Sequence, residues 1–203
     1  MENLTELLVE ELKDLYSAEK QIIKALPKII RGVQSPELKA AITEHLEVTK
    51  AQVMRLDEVF GALGEKPKAK HCKGMEGLLA EGAGCLEEEE KGTLRDLQLI
   101  GAAQRVEHYE MAAYGTAKAM AEKLGLNEVI GLLDETLKEE EEADTKLTEV
   151  ANALYEEVET GQESEEGEED EDEEEPEEEE EEEVEETPAR GRATAKKKAA
   201  GKR

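Results

Sequence analysis

Apolar residues recur every three or four positions over most of residues 1–158, and this is the period of amphipathic helices. Four long segments and one short segment follow the pattern, and we predict a helix in each of them. The predicted helices span residues 3–30, 36–60, 75–89, 94–124 and 127–158. Ser35 before Pro36 is a typical helix start, Thr93 with Asp96 resembles a capping arrangement, and Gly125 is a typical helix stop. Pro27 is predicted to kink or loosen the last turn of the first helix.

The lengths of the links between these helices predict the fold. Short links after the first and fourth helices make two antiparallel hairpins, whereas the connection over residues 61–93 is long enough to cross the length of a bundle. A four-helix bundle with one long crossover is the ferritin-like arrangement. We therefore predict an all-α, ferritin-like four-helix bundle with a short helix in the crossover. A simple up-down bundle with an inserted subdomain is the less economical alternative.

Acidic residues stand in the apolar stripes of three helices, where the repeat would place Leu or Ile. They are Glu19, Glu107, Glu110, Glu140 and Asp144. Glu47 lies at the middle of the second helix, beside its stripe. An isolated buried carboxylate is costly, so each of these acids needs a partner or a cation. The alternative is that the predicted stripes are out of register by one residue and that these acids are exposed to solvent.

All six acids lie close to the centres of their helices. Because helix centres coincide in a bundle, whichever way each helix runs, the acids are predicted to converge in one layer. Several carboxylates in one buried layer cannot all stay ionised without counter-charge, and two divalent cations would supply it. Oxygen-rich ligand sets suit iron or manganese. The pattern therefore predicts a di-metal site, with iron as the first choice and manganese as the second.

The net charge of −28 is concentrated at the end of the chain. Residues 156–186 contain 23 acidic residues and no Lys or Arg, and residues 190–203 contain seven basic residues and no acid. We predict a bundle over 1–158, an acidic disordered tail over 159–187 and a basic tail over 188–203. The basic tail resembles the DNA-binding ends of bacterial nucleoid proteins, so weak DNA contact is one expectation. The acidic residues upstream would compete with DNA for the basic tail.

Other features narrow the class of protein. The chain has no apolar run long enough for a membrane span, and its acidic N-terminus differs from a secretory signal, so we expect a cytoplasmic protein without membrane contact. The two cysteines, Cys72 and Cys85, fit a reducing compartment. With His71 they lack the spacing and the fourth ligand of a zinc site, so we interpret them as packing or surface residues.

Five segments of the sequence resemble the YciE/YciF family, a bacterial ferritin-like family linked to stress responses. They are residues 15–21, 45–49, 72–78, 106–110, and 135–137 together with 144–147. The resemblance covers about residues 3–155. It implies a homodimer with a di-metal centre at the acids named above, and oxidation of Fe²⁺ or consumption of peroxide as its chemistry. Tyr16 and Tyr109 are then candidates for tuning the centre or relaying electrons.

One departure from the superfamily pattern concerns the ligands. Ferritin-like centres commonly take a Glu-x-x-His pair from the second helix, but here Lys50 follows Glu47 at that spacing. The last helix offers Glu140 and Asp144 in place of such a pair. Neither His108 nor His45 is predicted as a ligand. Lys50 favours the alternative function, a nucleoid-associated or partner-binding bundle with a degenerate metal site.

Overall fold

The computed structural model describes residues 3–87 and 91–169, with side chains up to residue 160. These residues form five helices and no strand: α1 (Leu4–Gly32), α2 (Pro36–Ala62), α3 (Lys73–Cys85), α4 (Thr93–Leu124) and α5 (Asn127–Glu169). The all-α prediction is confirmed. Within these described residues, no helix combines the length and the apolar character needed to cross a membrane.

Local capping sets most of the helix ends. The Asn3 side chain accepts the Glu6 N–H at 2.9 Å at the start of α1. Ser35 Oγ accepts the Leu38 N–H at 3.1 Å at the start of α2, with Pro36 next to it. Gly125 ends α4 with φ 70°, a left-handed conformation that glycine adopts without steric cost.

The predicted cap at Thr93 is wrong. Gly92 precedes α4 and provides no side-chain cap. Asp96 instead accepts the backbone N–H groups of Gln34 at 3.0 Å and Ser35 at 2.6 Å, and its side chain is 1% exposed. A buried carboxylate therefore ties α4 to the link between α1 and α2.

The helices pack in a ring in which α1 and α5 each contact both α2 and α4. The first halves of α2 and α4 pack in one apolar cluster with the second halves of α1 and α5. Accordingly α2 and α4 run in one direction, and α1 and α5 in the other. The link over residues 63–92 must therefore traverse the length of the bundle, as predicted, and α3 within it packs against α1 and α4.

Two separate apolar clusters fill the bundle. The α3-side core contains Ile22, Leu26, Ile42, Met75, Leu99, Val106 and Leu147, among others. The Tyr114-side core contains Leu8, Leu12, Leu56, Phe60, Tyr114 and Leu133, among others. In α4 and α5 the residues between the two clusters include Glu107, Glu110 and Glu140, all buried. A polar layer thus separates the two cores at mid-bundle.

Several predicted bounds differ from the observed ones. Helix α1 continues past Pro27 to Gly32, and α3 ends at Cys85, whereas we predicted 89. Helix α5 continues to Glu169, beyond the predicted end at 158, because Glu is a strong helix former. Residues 159–169, which we predicted as the start of the acidic disordered tail, are the end of α5. The rest of that tail, 170–187, and the basic tail, 188–203, lie outside the described residues.

Candidate metal centre

Four side chains from three helices bring their ligand atoms together in the polar layer. They are His45 on α2, Glu107 and Glu110 on α4, and Glu140 on α5, and one ligand atom from each lies within 4.8 Å of the others. The three carboxylates are at most 3% exposed, and His45 Nε2 is 3.5 Å from Glu107 Oε1. One imidazole and several carboxylates in such a group are donors that iron and manganese accept.

Glu19 on α1 is a further buried carboxylate in this layer, with 0% exposure. The hydroxyl of Tyr114 on α4 donates a hydrogen bond to Glu19 Oε1. Tyr114 follows Glu107 and Glu110 at helical spacing, so one face of α4 supplies two carboxylates and the donor that orients a third. The second oxygen of Glu19 has no hydrogen-bond partner among the described residues.

Unpartnered polar atoms concentrate in this layer. Within the part of the chain that the structure describes, seven buried side-chain atoms in or beside this layer lack a hydrogen-bond partner. Six are carboxylate or imidazole atoms, namely Glu19 Oε2, His45 Nε2, Glu107 Oε2, Glu110 Oε1, Glu110 Oε2 and Glu140 Oε2, and the seventh is Gln52 Oε1. Folded proteins satisfy most of their buried polar atoms, so each such group needs an explanation. A cation bound among them would accept their lone pairs. The residues present therefore fit a metal ion.

Burial controls the ionisation of the site. Burial and the neighbouring carboxylates raise the pKa of Glu19, Glu107 and Glu110 well above the usual value. Burial also raises the pKa of Glu140. It lowers the pKa of His45 to about 4, so the imidazole is neutral at physiological pH and keeps a lone pair for a metal. Without a cation, burial therefore favours the protonated forms of Glu19, Glu107 and Glu110.

Hydrogen bonds from α2 fix the position of Glu140. Gln52 Nε2 donates to Glu140 Oε1 and, at 3.1 Å, to Glu139 Oε2. Arg55 donates to both oxygens of Glu139, at 2.7 and 2.8 Å, and to Thr136 Oγ1 at 2.7 Å. Outer hydrogen bonds of this kind orient metal ligands. The network joins α2 to α5 beside the site.

The structure brings four of the six predicted acids into the layer: Glu19, Glu107, Glu110 and Glu140. Asp144 lies at its edge, with 23% of its side chain exposed, and its Oδ1 accepts from Gln104 at 3.1 Å. His108 lies outside the layer, with Nε2 3.4 Å from Asp144 Oδ1 and 65% of its side chain exposed.

The position predicted for Glu47 is wrong. Its side chain is 69% exposed and forms an ion pair with Lys50 at 2.6 Å. The sequence pattern of α2 placed Leu46 and Val53 in the buried stripe together with Ile42, Thr49, Leu56 and Phe60. Those last four are buried, but His45 and Gln52 face the layer beside Leu46 and Val53. The signal in the sequence was the set of His45, Thr49 and Gln52, which continues from Ile42 in steps of three and four.

The two tyrosines named from the sequence have other contacts. The Tyr109 hydroxyl donates to Asp14 Oδ2 at 2.8 Å and lies 2.9 Å from Cys72 Sγ. Tyr16 packs edge-on against Phe60, with ring centroids 5.8 Å apart. Cys72 caps α3 by accepting the Met75 N–H at 3.3 Å, which agrees with its interpretation as a packing residue.

Known proteins of similar sequence cover most of the chain. Protein YciF of Escherichia coli (strain K12) is 43% identical over 152 residues, which are 74% of this chain and 92% of YciF. The crystal structure of this E. coli stress protein has a TM-score of 0.74 at 42% identity, covering 76% of this chain and 98% of YciF. The resemblance to the YciE/YciF family is therefore confirmed.

Other solved structures support the fold. YcfI from Rhodopseudomonas palustris has a TM-score of 0.70 at 42% identity, over 72% of this chain and 94% of its own. Ferritin-like, diiron-carboxylate proteins from Bacillus anthracis str. Ames give 0.58 at 16% identity, over 74% of this chain and 99% of theirs, a likeness of fold alone. A family model described as a domain of unknown function, DUF892, matches residues 3–159. The chain therefore belongs to the DUF892 family.

Proposed function

We propose that this protein binds iron in the polar layer and oxidises Fe²⁺ or consumes peroxide, with manganese as the alternative metal. The observation that carries the proposal is the set of six unpartnered donor atoms, five carboxylate oxygens and one imidazole nitrogen, in a buried layer. Such a set costs stability when it is empty and protonated, and a divalent cation removes that cost.

The number of ligand side chains in the layer limits how many metal ions can bind. Two-metal centres in helical bundles commonly use a Glu from each of two helices and a Glu-x-x-His pair from each of the other two. Here α4 supplies Glu107 and Glu110 at that spacing, whereas α5 supplies Glu140 and α2 supplies His45. These four residues are sufficient for one ion. The proposed di-iron centre requires Glu19 as a ligand of the second.

The residues of this chain have separate tasks in the proposed chemistry. Bound iron would supply the one-electron chemistry. The carboxyl groups release their protons when a cation enters, and neutral His45 offers its nitrogen. Tyr114 keeps its proton, because burial raises the pKa of its hydroxyl well above the usual value, and it holds Glu19 in place. The apolar side chains of the two cores border the layer on both sides.

The relatives support a role under stress. E. coli YciF is described as a stress protein, and its structure is similar to this one over most of the chain. Removal of Fe²⁺ and of peroxide are linked reactions, because the two together generate oxidative damage. A stress-related iron protein is the role that this likeness favours.

Anaerobic titration with Fe²⁺, followed by metal analysis, tests the proposal. We expect two ions per chain in the parent protein and at least a tenfold loss of affinity in Glu110→Gln and Glu140→Gln. Glu47→Gln is the matched control, because Glu47 is exposed, and it should bind as the parent does. Unchanged binding in both site variants would reject the site. Addition of oxygen or peroxide then tests turnover through the absorption of Fe³⁺.

The residue that favoured the alternative function lies away from the candidate metal centre. Lys50 is at the surface in an ion pair with Glu47, so its charge does not compete with a metal ion in the polar layer. Residues 188–203, which carry the predicted DNA contact, lie outside the described residues, so that contact stays a prediction. A gel shift with and without residues 188–203 tests it.

A further inference from the structure

A cavity of about 250 Å³ lies in the α3-side core and extends from the surface to the candidate metal centre. Its inner end is formed by His45 and Glu107. Apolar side chains from all five helices line most of it, including Ile22, Ile42, Leu78, Leu99, Val106 and Leu147. The cavity therefore connects solvent to the polar layer through an apolar passage.

The walls of the cavity belong to the interior of the protein. Ile22, Leu99 and Val106 are 1%, 2% and 7% exposed. Interiors are close-packed, and voids larger than a water molecule are few. An apolar cavity of about 150 Å³ accommodates benzene, so by proportion this one has room for roughly ten carbon atoms. A volume of this size, lined by apolar groups, favours an apolar occupant over water.

The charged side chains of the lining limit what can enter. Glu44, Glu142 and Lys146 are exposed, whereas Glu139 is half-buried beside the polar layer, where it accepts a hydrogen bond from Gln52. Lys146 is paired with Glu44, and Glu139 is paired with Arg55. Lys146, the one cationic side chain that lines the cavity among the residues that the structure describes, therefore already has a partner, and an anionic ligand would meet an excess of carboxylates. A cationic ligand would lose its hydration along apolar walls.

We propose that this cavity binds an uncharged, largely apolar molecule of up to about ten carbon atoms, with one end beside Glu107 and His45. Binding to the cavity depends only on its size and walls. The position of the molecule next to a metal ion rests on the proposed function. The ligand would then be the substrate, or the regulator, of the chemistry at the metal centre.

Binding of three probes of equal length to the metal-free full-length protein tests the proposal. Octan-1-ol, octanoate and octylammonium differ in charge but share one chain. We expect octan-1-ol to bind, to raise Tm by about 3–6 °C at ten times its Kd, and to bind at least tenfold more tightly than either ion. Isothermal calorimetry and thermal unfolding measure the two effects.

Variants that fill the cavity identify the binding site. Ala103 on α4 and Ala143 on α5 both line the cavity, so Ala103→Leu and Ala143→Leu reduce its volume from two sides. Each should weaken octan-1-ol binding at least tenfold. Ala112→Leu adds the same side chain at an exposed position of α4 and should bind as the parent does. The proposal is overturned if the parent does not bind octan-1-ol, or if both filled variants bind it as tightly as the parent does.

A further arm separates this proposal from that of the metal site. Glu110→Gln should lose Fe²⁺ affinity and retain octan-1-ol affinity, because Glu110 does not line the cavity. If the metal site were wrong, Fe²⁺ binding would be unchanged in this variant while octan-1-ol binding still distinguished the filled variants. If the cavity proposal were wrong, octan-1-ol would not bind to the parent or would not distinguish the filled variants, while Glu110→Gln would still lose Fe²⁺ affinity.

Discussion

The side-chain amide of Gln52 on α2 donates a hydrogen bond to Glu140 Oε1 on α5, and both side chains are 0% exposed. The same nitrogen also donates to Glu139, which Arg55 holds. Glu140 therefore offers one oxygen to the protein and keeps the other unpartnered. A carboxylate fixed in this way is prepared to bind a cation with its free oxygen.

Gln52→Leu should lower the affinity for Fe²⁺ by about 10- to 100-fold, because loss of an outer hydrogen bond leaves the ligand misoriented. Competition with a chelating dye measures the affinity. Gln98→Leu makes the same change at an exposed position of α4 and should leave the affinity unchanged. Equal affinities of Gln52→Leu and the parent would show that Gln52 does not position Glu140.

Tyr114→Phe should lower the free energy of unfolding of the metal-free protein by about 1–3 kcal/mol, because it removes the donor to a buried oxygen of Glu19. Denaturant unfolding measures this change. Tyr155→Phe removes a hydroxyl from a side chain that is 53% exposed and should change the stability by less than about 0.5 kcal/mol. The prediction fails if the two variants are equally stable.

Fe²⁺ binding should release protons, and its affinity should fall as the pH is lowered. The pKa values of Glu19, Glu107 and Glu110 are raised by burial, so these groups hold protons at pH values at which an exposed Glu is ionised. The cation must displace them. Calorimetry at pH 7 in two buffers of different ionisation enthalpy counts the protons. A heat that is equal in both buffers would contradict the prediction.

The protein should lose stability as the pH rises above about 9, partly through Cys72. Burial raises the pKa of the Cys72 thiol, so the folded chain keeps a proton that the unfolded chain releases. The stabilising contribution is present below the unfolded pKa and is lost above it. Unfolding free energies measured from pH 8 to 10.5 should fall less steeply for Cys72→Ala than for the parent. Cys85→Ala, at a half-buried position, should follow the parent curve.

The sequence was most informative where a helix has one unambiguous buried face. In α4, Ala103, Glu107, Glu110 and Tyr114 follow one another at steps of three and four, and the acids interrupt a run of small and apolar residues. Their burial follows from this spacing alone. The lengths of the links were likewise sufficient to predict the direction of each helix and the long crossover.

The second helix could not be assigned from its own pattern. Thr49 and Gln52 are buried although they are polar, because their surroundings come from a distant part of the chain; Gln52 binds Glu139 and Glu140 of α5. The stripe through Leu46 looked equally regular, and Glu47, which lies beside it at the middle of the helix, was included in the layer in place of His45. In α5 a run of acids hides the phase of the helix, and Asp144 proves to lie at the edge of the layer.

The polar layer also separates the apolar interior into two clusters. A metal ion bound by side chains of α2, α4 and α5 would link these three helices in the layer between the two clusters. We expect the two ends of the metal-free bundle to open separately, and the metal-bound bundle to unfold as one cooperative unit. Amide hydrogen exchange should then give two opening free energies, one for each cluster, without metal and a single common value with metal.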